Sequence, residues 1–258
     1  MANAPYCRSR AVGDQKGFTL AELMIVMLIT SVIIGAVFTI YLVHQRSYVE
    51  HDDLSDVQQN LRGALAVMTQ EIRQAGCNPT RSAGIGIQQA TSSAFRFTSD
   101  LGGDPVSPNK ADGDANDANE DIAFGFSAAN DADGNGIADG GGADWSTSAS
   151  LGRSTAGGVF QPIADNIEAV EFNYILDGGT ATNSSGIATA TQANAAIPNL
   201  NDIRELQVSI LGRAANPSKD FRHNQTYTTA SGAVWTPPQD SFRRRLVIVN
   251  IQCRNMGL

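Results

Sequence analysis

Between Leu23 and Val43 the chain carries 21 consecutive residues without a formal charge, most of them Leu, Ile, Val, Met or Phe. Coiled as an α-helix, that run is about 31 Å long at ~1.5 Å per residue, close to the ~30 Å hydrocarbon core of a bilayer. Beyond it the pattern becomes periodic. Leu54, Val57, Leu61, Leu65, Met68, Ile72 and Ala75 recur at spacings of three and four, which places them on one helical face. Gly76 and the pair Asn78-Pro79 supply the stop. The prediction is one helix from about Leu20 to Ala75, roughly 80 Å long and far longer than a compact domain requires.

After the stop the period shortens to that of strands. Five segments qualify: Phe95 to Phe97, Ile122 to Phe126, Ile167 to Leu176, Ile203 to Leu211 and Leu246 to Cys253. In the third, Val170, Phe172, Tyr174 and Leu176 alternate with Ala169, Glu171 and Asn173, the signature of a half-buried strand. The last carries Val247, Val249, Ile251 and Cys253 on one face and Leu246 and Ile248 on the other, and reads as buried on both. No helical pattern separates the runs, so the expected fold class is α+β, an antiparallel sheet laid on the long helix. The stretches 178–201 and 221–240 read as surface loops.

Charge orients this arrangement. Arg8, Arg10 and Lys16 all precede the apolar run, so the N-terminus stays in the cytoplasm and the chain after Val43 is exported. An ordinary secretory signal has an apolar region of about 7–15 residues, shorter than the one here. The net charge is −8, and loss of residues 1–17 makes the rest more acidic, about −10, which argues against nucleic acid as a partner. The one basic cluster, Arg243-Arg244-Arg245, reads as a patch for a carboxylate partner. Cysteine is sparse, with Cys77 and Cys253 the two beyond the N-terminal segment. Outside the cytoplasm they are a disulfide candidate; two buried free thiols are the alternative.

The junction ahead of the apolar run reads Lys16-Gly17-Phe18-Thr19-Leu20-Ala21-Glu22-Leu23. It resembles the processing site of type IV prepilins. That resemblance implies cleavage by a prepilin peptidase between Gly17 and Phe18, N-methylation of Phe18, and pairing of Glu22 with the new amine of a neighbouring subunit during assembly. Glu22 stands out on physical grounds as well, because a carboxylate within a membrane helix costs about 2.5–3.5 kcal/mol on insertion scales. Ile203 to Ile210, the ending Phe242 to Leu258 and the segment Gln161 to Glu168 are similar to PilW-type minor pilins. The implied divisions are a cleaved leader (1–17), a transmembrane and filament-core helix (18–43), its amphipathic continuation (44–76) and an exported head (77–258).

Asp131-Ala132-Asp133-Gly134-Asn135-Gly136-Ile137-Ala138-Asp139 follows the first nine positions of a calcium loop. Asp131, Asp133, Asn135 and Asp139 would give side-chain oxygens, Ile137 its carbonyl, and Gly136 the sharp turn. At position 12 the bidentate Glu is replaced by Gly142, with Asp144 two residues on. A second stretch with Asp112, Asp114, Asn116 and Glu120 fits the pattern less well, since Asp117 stands where Gly is wanted. Either stretch also suits an ion-free Asp/Asn/Gly turn. Calcium is therefore the one cofactor expected. His44, His51 and His223 are scattered and no catalytic motif appears, so His223 reads as a solvated loop residue and the chain as a non-enzyme.

The function expected is that of a minor pilin priming or capping a filament. Its partners would be the prepilin peptidase, other minor pilins, the major pilin and a tip adhesin. It would reside in the inner membrane before assembly, then in the periplasm and the extracellular pilus. The alternatives are a J-type minor pseudopilin of type II secretion and a membrane-anchored calcium-binding adhesin.

Overall fold

The computed structural model describes residues 17–102, 110–117, 119–177, 181–182, 200–219 and 221–256, with the side chains of residues 46, 49–52 and 181–182 outside the description. The chain divides into two compact units, one ending at Val49 and one comprising Glu50–Leu258. Helix α1 runs from Leu20 to Ile72. In the first unit its apolar stretch Leu20–Gln45 buries none of its residues. In the second unit Val57, Leu61, Ala64, Met68, Ile72 and Ala75 are all buried. They match the predicted stripe except that Leu54 and Leu65 are only partly buried and Ala64 takes a buried place, and the regular helix stops three residues early. There the amides of Gln74 and Ala75 donate to the carbonyls of Glu71 and Ile72, the tighter pattern that closes a helix end.

The strands are β1 (Ile87–Ala90), β2 (Phe95–Thr98), β3 (Asp121–Gly125), β4 (Ala149–Thr155), β5 (Gln161–Leu176), β6 (Ala181–Thr182), β7 (Ile203–Arg213), β8 (Tyr227–Thr228), β9 (Val234–Trp235) and β10 (Arg244–Gln252). Eight of them form one sheet in the order β1-β2-β3-β4-β5-β7-β10, with β6 also paired to β5. Every pair is antiparallel, as expected from the absence of crossover helices. All five predicted strands are present. The helix packs where β7 is bare: a Cβ on Gly212 would lie 3.1 Å from Val57 Cγ1 and 3.2 Å from Leu61 Cδ1. Glycine there is a matter of close approach between backbone and helix. On the same side Phe95 packs against Phe97, Tyr174 and Phe172 at centroid distances of 5.6, 6.0 and 6.3 Å. The buried Tyr174 hydroxyl donates to the Thr91 carbonyl at 2.6 Å.

The opposite face of β5 departs from the half-buried reading. Ala169, Glu171 and Asn173 are also buried, because the segment predicted as a surface loop at 221–240 contains the β8–β9 hairpin and covers them. Trp235 packs with Ala169 and Leu211 in a second small core. Ser231 Oγ donates to Glu171 Oε1 at 2.6 Å, and the Ala230 amide donates to Ser209 Oγ at 3.0 Å. Conversely β10 lies at the sheet edge, with β7 as its neighbour, so Ile248 is exposed where the sequence suggested burial. Of the other predicted loop, 178–201, only residues 181–182 and 200–201 fall among those described.

The Arg243-Arg244-Arg245 cluster is not a surface patch. Alternation along β10 separates its members. The Arg244 side chain is fully buried and bridges Glu168, with Nη2 at 2.9 Å from Oε1 and Nε also donating to Oε2. Its Nη1 and Nη2 reach Asp240 at 2.7 and 2.6 Å, and Arg213 adds a contact to Glu168 at 3.2 Å. Arg243 lies over the Phe221 ring at 4.4 Å. The carboxylate partners are thus within the chain. Glu168 and Arg244 meet opposite charges inside the head, and the value of the network lies in avoiding an uncompensated charge.

His223 is buried rather than solvated. Its ring stacks on Tyr227 at 5.7 Å, and Nε2 bonds the Gln225 carbonyl at 2.9 Å. Burial, then the neighbouring Arg244 charge, lowers its pKa, against the opposing pull of Asp240 and Glu168.

The second half of β5 extends beyond β4 and leaves a free edge, which the segment 136–138 occupies. Val170 donates its amide to the Gly136 carbonyl, and Ala138 donates to the Glu168 carbonyl, both at 2.8 Å. Ile137 and Ala169 form a bridge pair. Gly136 has φ +85°, and a Cβ there would sit 2.3 Å from the Val170 carbonyl oxygen.

Two predictions follow from this packing. Gly136→Ala should destabilise the protein by at least about 2 kcal/mol. Gly84→Ala, at φ +86° with nothing within 4 Å, should cost only the backbone strain of about 1–2 kcal/mol. Equal losses in chemical denaturation would remove the close approach at β5 as the reason for Gly136. For His223, the folded-state pKa lies below its ordinary value of about 6.5, so the unfolded chain takes the proton first as pH falls. Its contribution to stability is whole above about pH 6.5 and drains as pH falls toward the folded pKa. Asp131, pushed up to about 6, titrates in the opposite sense. The drop in Tm between about pH 7.5 and 5.5 should therefore be smaller in His223→Gln than in the wild type, and equal drops would reject the assignment.

Candidate functional site

Gly17, Phe18 and Thr19 precede the helix and are exposed. Phe18 is 91% exposed, and no described residue packs against the Cβ position of Gly17. Thr19 caps the helix. Its carbonyl accepts the first helical bond from Leu23 at 3.2 Å. Its hydroxyl accepts from the Glu22 amide at 3.3 Å. Glu22 Oε2 in turn accepts from the Thr19 amide at 2.8 Å and its hydroxyl at 2.9 Å. These reciprocal bonds are a capping box, which satisfies donors that a helix N-terminus otherwise leaves open. The sequence reading assigned Glu22 an intermolecular role and passed over Thr19. The signal was there, since Thr-x-x-Glu directly before an apolar run is the sequence form of this cap.

The polar residues inside the apolar stretch are also satisfied within the helix. Ser31 Oγ donates to the Leu28 carbonyl at 2.8 Å, and Thr39 Oγ1 to the Gly35 carbonyl at 2.9 Å. Such back-bonding lets hydroxyls sit in a non-polar surrounding without unmet donors. From Leu23 to Val43 the surface is thus predominantly apolar, with Glu22 the one carboxylate in Leu20–Gln45.

The 131–139 loop brings its acids together. Asp131, Asp133 and Asp139 can each place a carboxylate oxygen within 4.8 Å of the others, with Asp131 and Asp139 buried. Each of these oxygens already accepts a hydrogen bond. Asp131 takes the amides of Asn135 at 3.0 Å and Gly136 at 2.9 Å. Asp133 takes the Asn135 amide at 3.1 Å and its Nδ2 at 2.9 Å. Asp139 takes the amides of Ala132 at 3.1 Å and Gly141 at 2.7 Å. Asn135 Oδ1 accepts from Ile137, and its Nδ2 also reaches Asp144 at 3.1 Å. Burial, together with the bond from Asp133, pushes the Asp131 carboxyl up to about 6.

The weaker stretch is a different environment. Asp112, Asp114 and Asp117 also converge within 4.8 Å. The Asp114 amide donates to Asp112 Oδ1 at 3.1 Å, and the Asn116 amide to Asp114 Oδ1 at 2.9 Å. Glu120 is buried at 1% exposure. Asp117, which the calcium-loop pattern treats as a departure, converges with Asp112 and Asp114, and Glu120 is not among the converging carboxylates.

Cys77 and Cys253 are both free thiols, Cys77 partly buried and Cys253 buried, so the disulfide candidate is not formed. Burial pushes the Cys253 thiol up to about 12, which makes it a packing residue rather than a nucleophile. His44 is exposed on the apolar helix and far in sequence from His223, while the side chain of His51 lies outside the described residues.

Residues 13–38 match the family described as a prokaryotic N-terminal methylation motif. Residues 143–255 match the family described as type IV pilus-assembly protein W. No curated protein sequence matches the chain. Among solved structures, a type IV-like pilin from Thermus thermophilus aligns over 78% of this chain and 98% of its own, at 13% identity and a TM-score of 0.41. The methylation motif sits on the Gly17-Phe18 junction and its capped apolar helix, and the second match takes in β5, β7 and β10 of the head. With the apolar N-terminal helix as the membrane anchor and an antiparallel sheet as the head, the chain is a type IV pilin-like protein of the PilW type.

Proposed function

We propose that the protein is a minor pilin that helps to prime or cap a type IV filament. The supporting observation is the pairing of an apolar helical surface from Leu20 to Gln45, none of it buried by its own chain, with one carboxylate, Glu22, in its first turn. Such a surface is stable in lipid, and on leaving lipid it requires equivalent apolar surfaces from neighbouring subunits. In this reading residues 1–17 are the leader removed by a prepilin peptidase, and Phe18 becomes a methylated N-terminus. Residues 18–43 form the filament core, 44–76 the amphipathic continuation and 77–258 the exported head. Other minor pilins, the major pilin and a tip adhesin are the partners.

Glu22 carries the orientation of that assembly. In the chain before cleavage its carboxylate is held by Thr19. Cleavage before Phe18 creates a positive amine, and a charge-assisted pair with a neighbour's amine is stronger than the neutral donors of the cap. Exchange of the one for the other would fix the axial stagger between adjacent helices while leaving no carboxylate unpaired among hydrocarbon.

Mass spectrometry of the mature membrane protein should find methylated Phe18 as residue one; an intact residue 1–17 segment, or a cut beyond Val43, would overturn the pilin role. Glu22→Ala should insert into membranes at least as well as the wild type, since a carboxylate costing about 2.5–3.5 kcal/mol is gone. Its recovery in sheared filaments should fall by about tenfold or more, the loss of one charge-assisted bond of ~1.5–3 kcal/mol. Undiminished recovery would remove Glu22 from the assembly mechanism.

A further inference from the structure

The two ends of the large sheet are unlike. At one end β1 is 4 residues long and its register with β2 is interrupted between Ile87 and Gln89, features that blunt an edge against further pairing. At the other end β10 runs for 9 residues in unbroken register with β7. The Ala214 amide donates to the Arg243 carbonyl and the Cys253 amide to the Arg204 carbonyl, so the odd-numbered residues of β10 are the ones that bond β7. Leu246, Ile248, Asn250 and Gln252 therefore turn their N–H and C=O groups away from the sheet. Among the described residues no strand and no side chain bonds these groups; the Tyr227 hydroxyl reaches the preceding outward carbonyl, that of Arg244, at 3.4 Å. From Leu246 to Ile251 the strand has no charge, proline or glycine. Val247 and Val249 are partly exposed on the face toward α1, and Ile248 is exposed on the other. A long, regular, uncharged edge is a template for another strand.

Charge indicates which strand fits. In a chain of net charge −8 the ends of this edge carry exposed arginines, Arg245 at one end and Arg254 with Arg73, just past α1, at the other. Arg73 and Arg254 line one groove with Asn250 and Gln252 of β10, and Glu205 is the one acid in it. Among the described residues none of the three arginines forms an ion pair. We propose that the outer edge of β10 takes up an extended strand of another protein, apolar through its middle and closed by carboxylates at both ends. Main-chain bonds to Leu246, Ile248, Asn250 and Gln252 hold that strand. Its side chains cover Val247 and Val249 on one face and Ile248 on the other, and its terminal carboxylates meet Arg245 and the Arg73-Arg254 pair. A second copy of this chain is the poorer occupant. Antiparallel self-pairing would lay Arg254 of each copy against the Arg243-Arg244-Arg245 end of the other, and like charges opposed across strands are destabilising. The inference concerns the head and stands or falls separately from the role of Glu22.

The test uses the full chain in detergent micelles and a synthetic peptide of alternating valine and threonine closed by an Asp-Glu pair at each end. Binding is followed by the anisotropy of the labelled peptide, and its place by hydrogen exchange of the chain. The peptide should bind with a Kd of about one millimolar or tighter and slow exchange in the segment 244–252. The same peptide closed by lysines should bind about tenfold more weakly. A version N-methylated at every second residue, on the side that meets β10, should not bind, because it has lost the main-chain donors. Arg245→Glu with Arg254→Glu changes exposed side chains only, so its Tm should match the wild type while its preference turns to the lysine-closed peptide. The proposal is overturned if the acidic peptide fails to bind up to about one millimolar, or if the N-methylated peptide binds equally well. It is overturned as well if protection arises outside 244–252, or if the charge reversal leaves the preference unchanged. Protection of 244–252 that grows with chain concentration in the absence of peptide would make a second copy the occupant and overturn it too.

Discussion

The burial of Val57, Leu61, Ala64, Met68, Ile72 and Ala75 against the sheet is the contact on which the head depends. A sheet of eight strands presents one broad apolar face, here Phe95, Phe97, Phe124, Phe172 and Tyr174, and this face requires a cover. The second half of α1 supplies it, and Gly212 lets the helix come close enough for side chains of both elements to meet. Arg153 on β4 adds an ion pair to Glu71 of the helix at 2.7 Å, with both side chains largely shielded from solvent. A single helix thus belongs to two settings. Its later turns are core residues of a water-soluble head, while its first turns expose hydrocarbon that the chain itself leaves uncovered.

The opposite face of the sheet solves a harder problem, because it carries Glu168, Glu171, Asn173 and Ser209 into buried positions. Each acid there is met by a specific group. Arg244 and Arg213 neutralise Glu168, and Ser231 from the covering hairpin bonds Glu171. The hairpin is held by Trp235 and by the stack of His223 on Tyr227, so aromatic packing and polar satisfaction come from the same short segment. A buried polar layer of this kind discriminates between correct and shifted register, since sliding β7 against β5, or β10 against β7, by one residue would strand a charge.

The two acidic loops differ in how far their own amides serve their carboxylates. Asp131 to Asp139 matches the motif, and its glycine at the turn is required because the segment docks on the free edge of β5. The same Asp and Asn residues that could bind an ion bond the turn's own amides. The stretch at 112–120 matches less well; its turn amides also donate to Asp112 and Asp114, while Asp117 Oδ2 and Glu120 Oε2 are buried without a partner.

Local patterns were enough to define the long helix, the five principal strands and the Gly17-Phe18-Glu22 junction, because each depends on spacing along the chain alone. The helix repeats at three and four, the strands alternate by two, and the junction is contiguous. The Thr19-Glu22 cap was equally local and equally legible. What the sequence left undetermined depends on residues far apart in the chain. Arg244 and Glu168 are 76 positions apart, so the basic run read as a surface patch until β7 and β10 brought it beside β5. His223 and Trp235 read as loop residues because the face they cover is assembled from other strands. Ile248 read as core because apolarity on both faces does not reveal that a strand stands at an edge. Whether an acidic loop is content with its own amides or is left with unpartnered oxygens is likewise decided by what packs around it, and burial is a property of the tertiary structure alone.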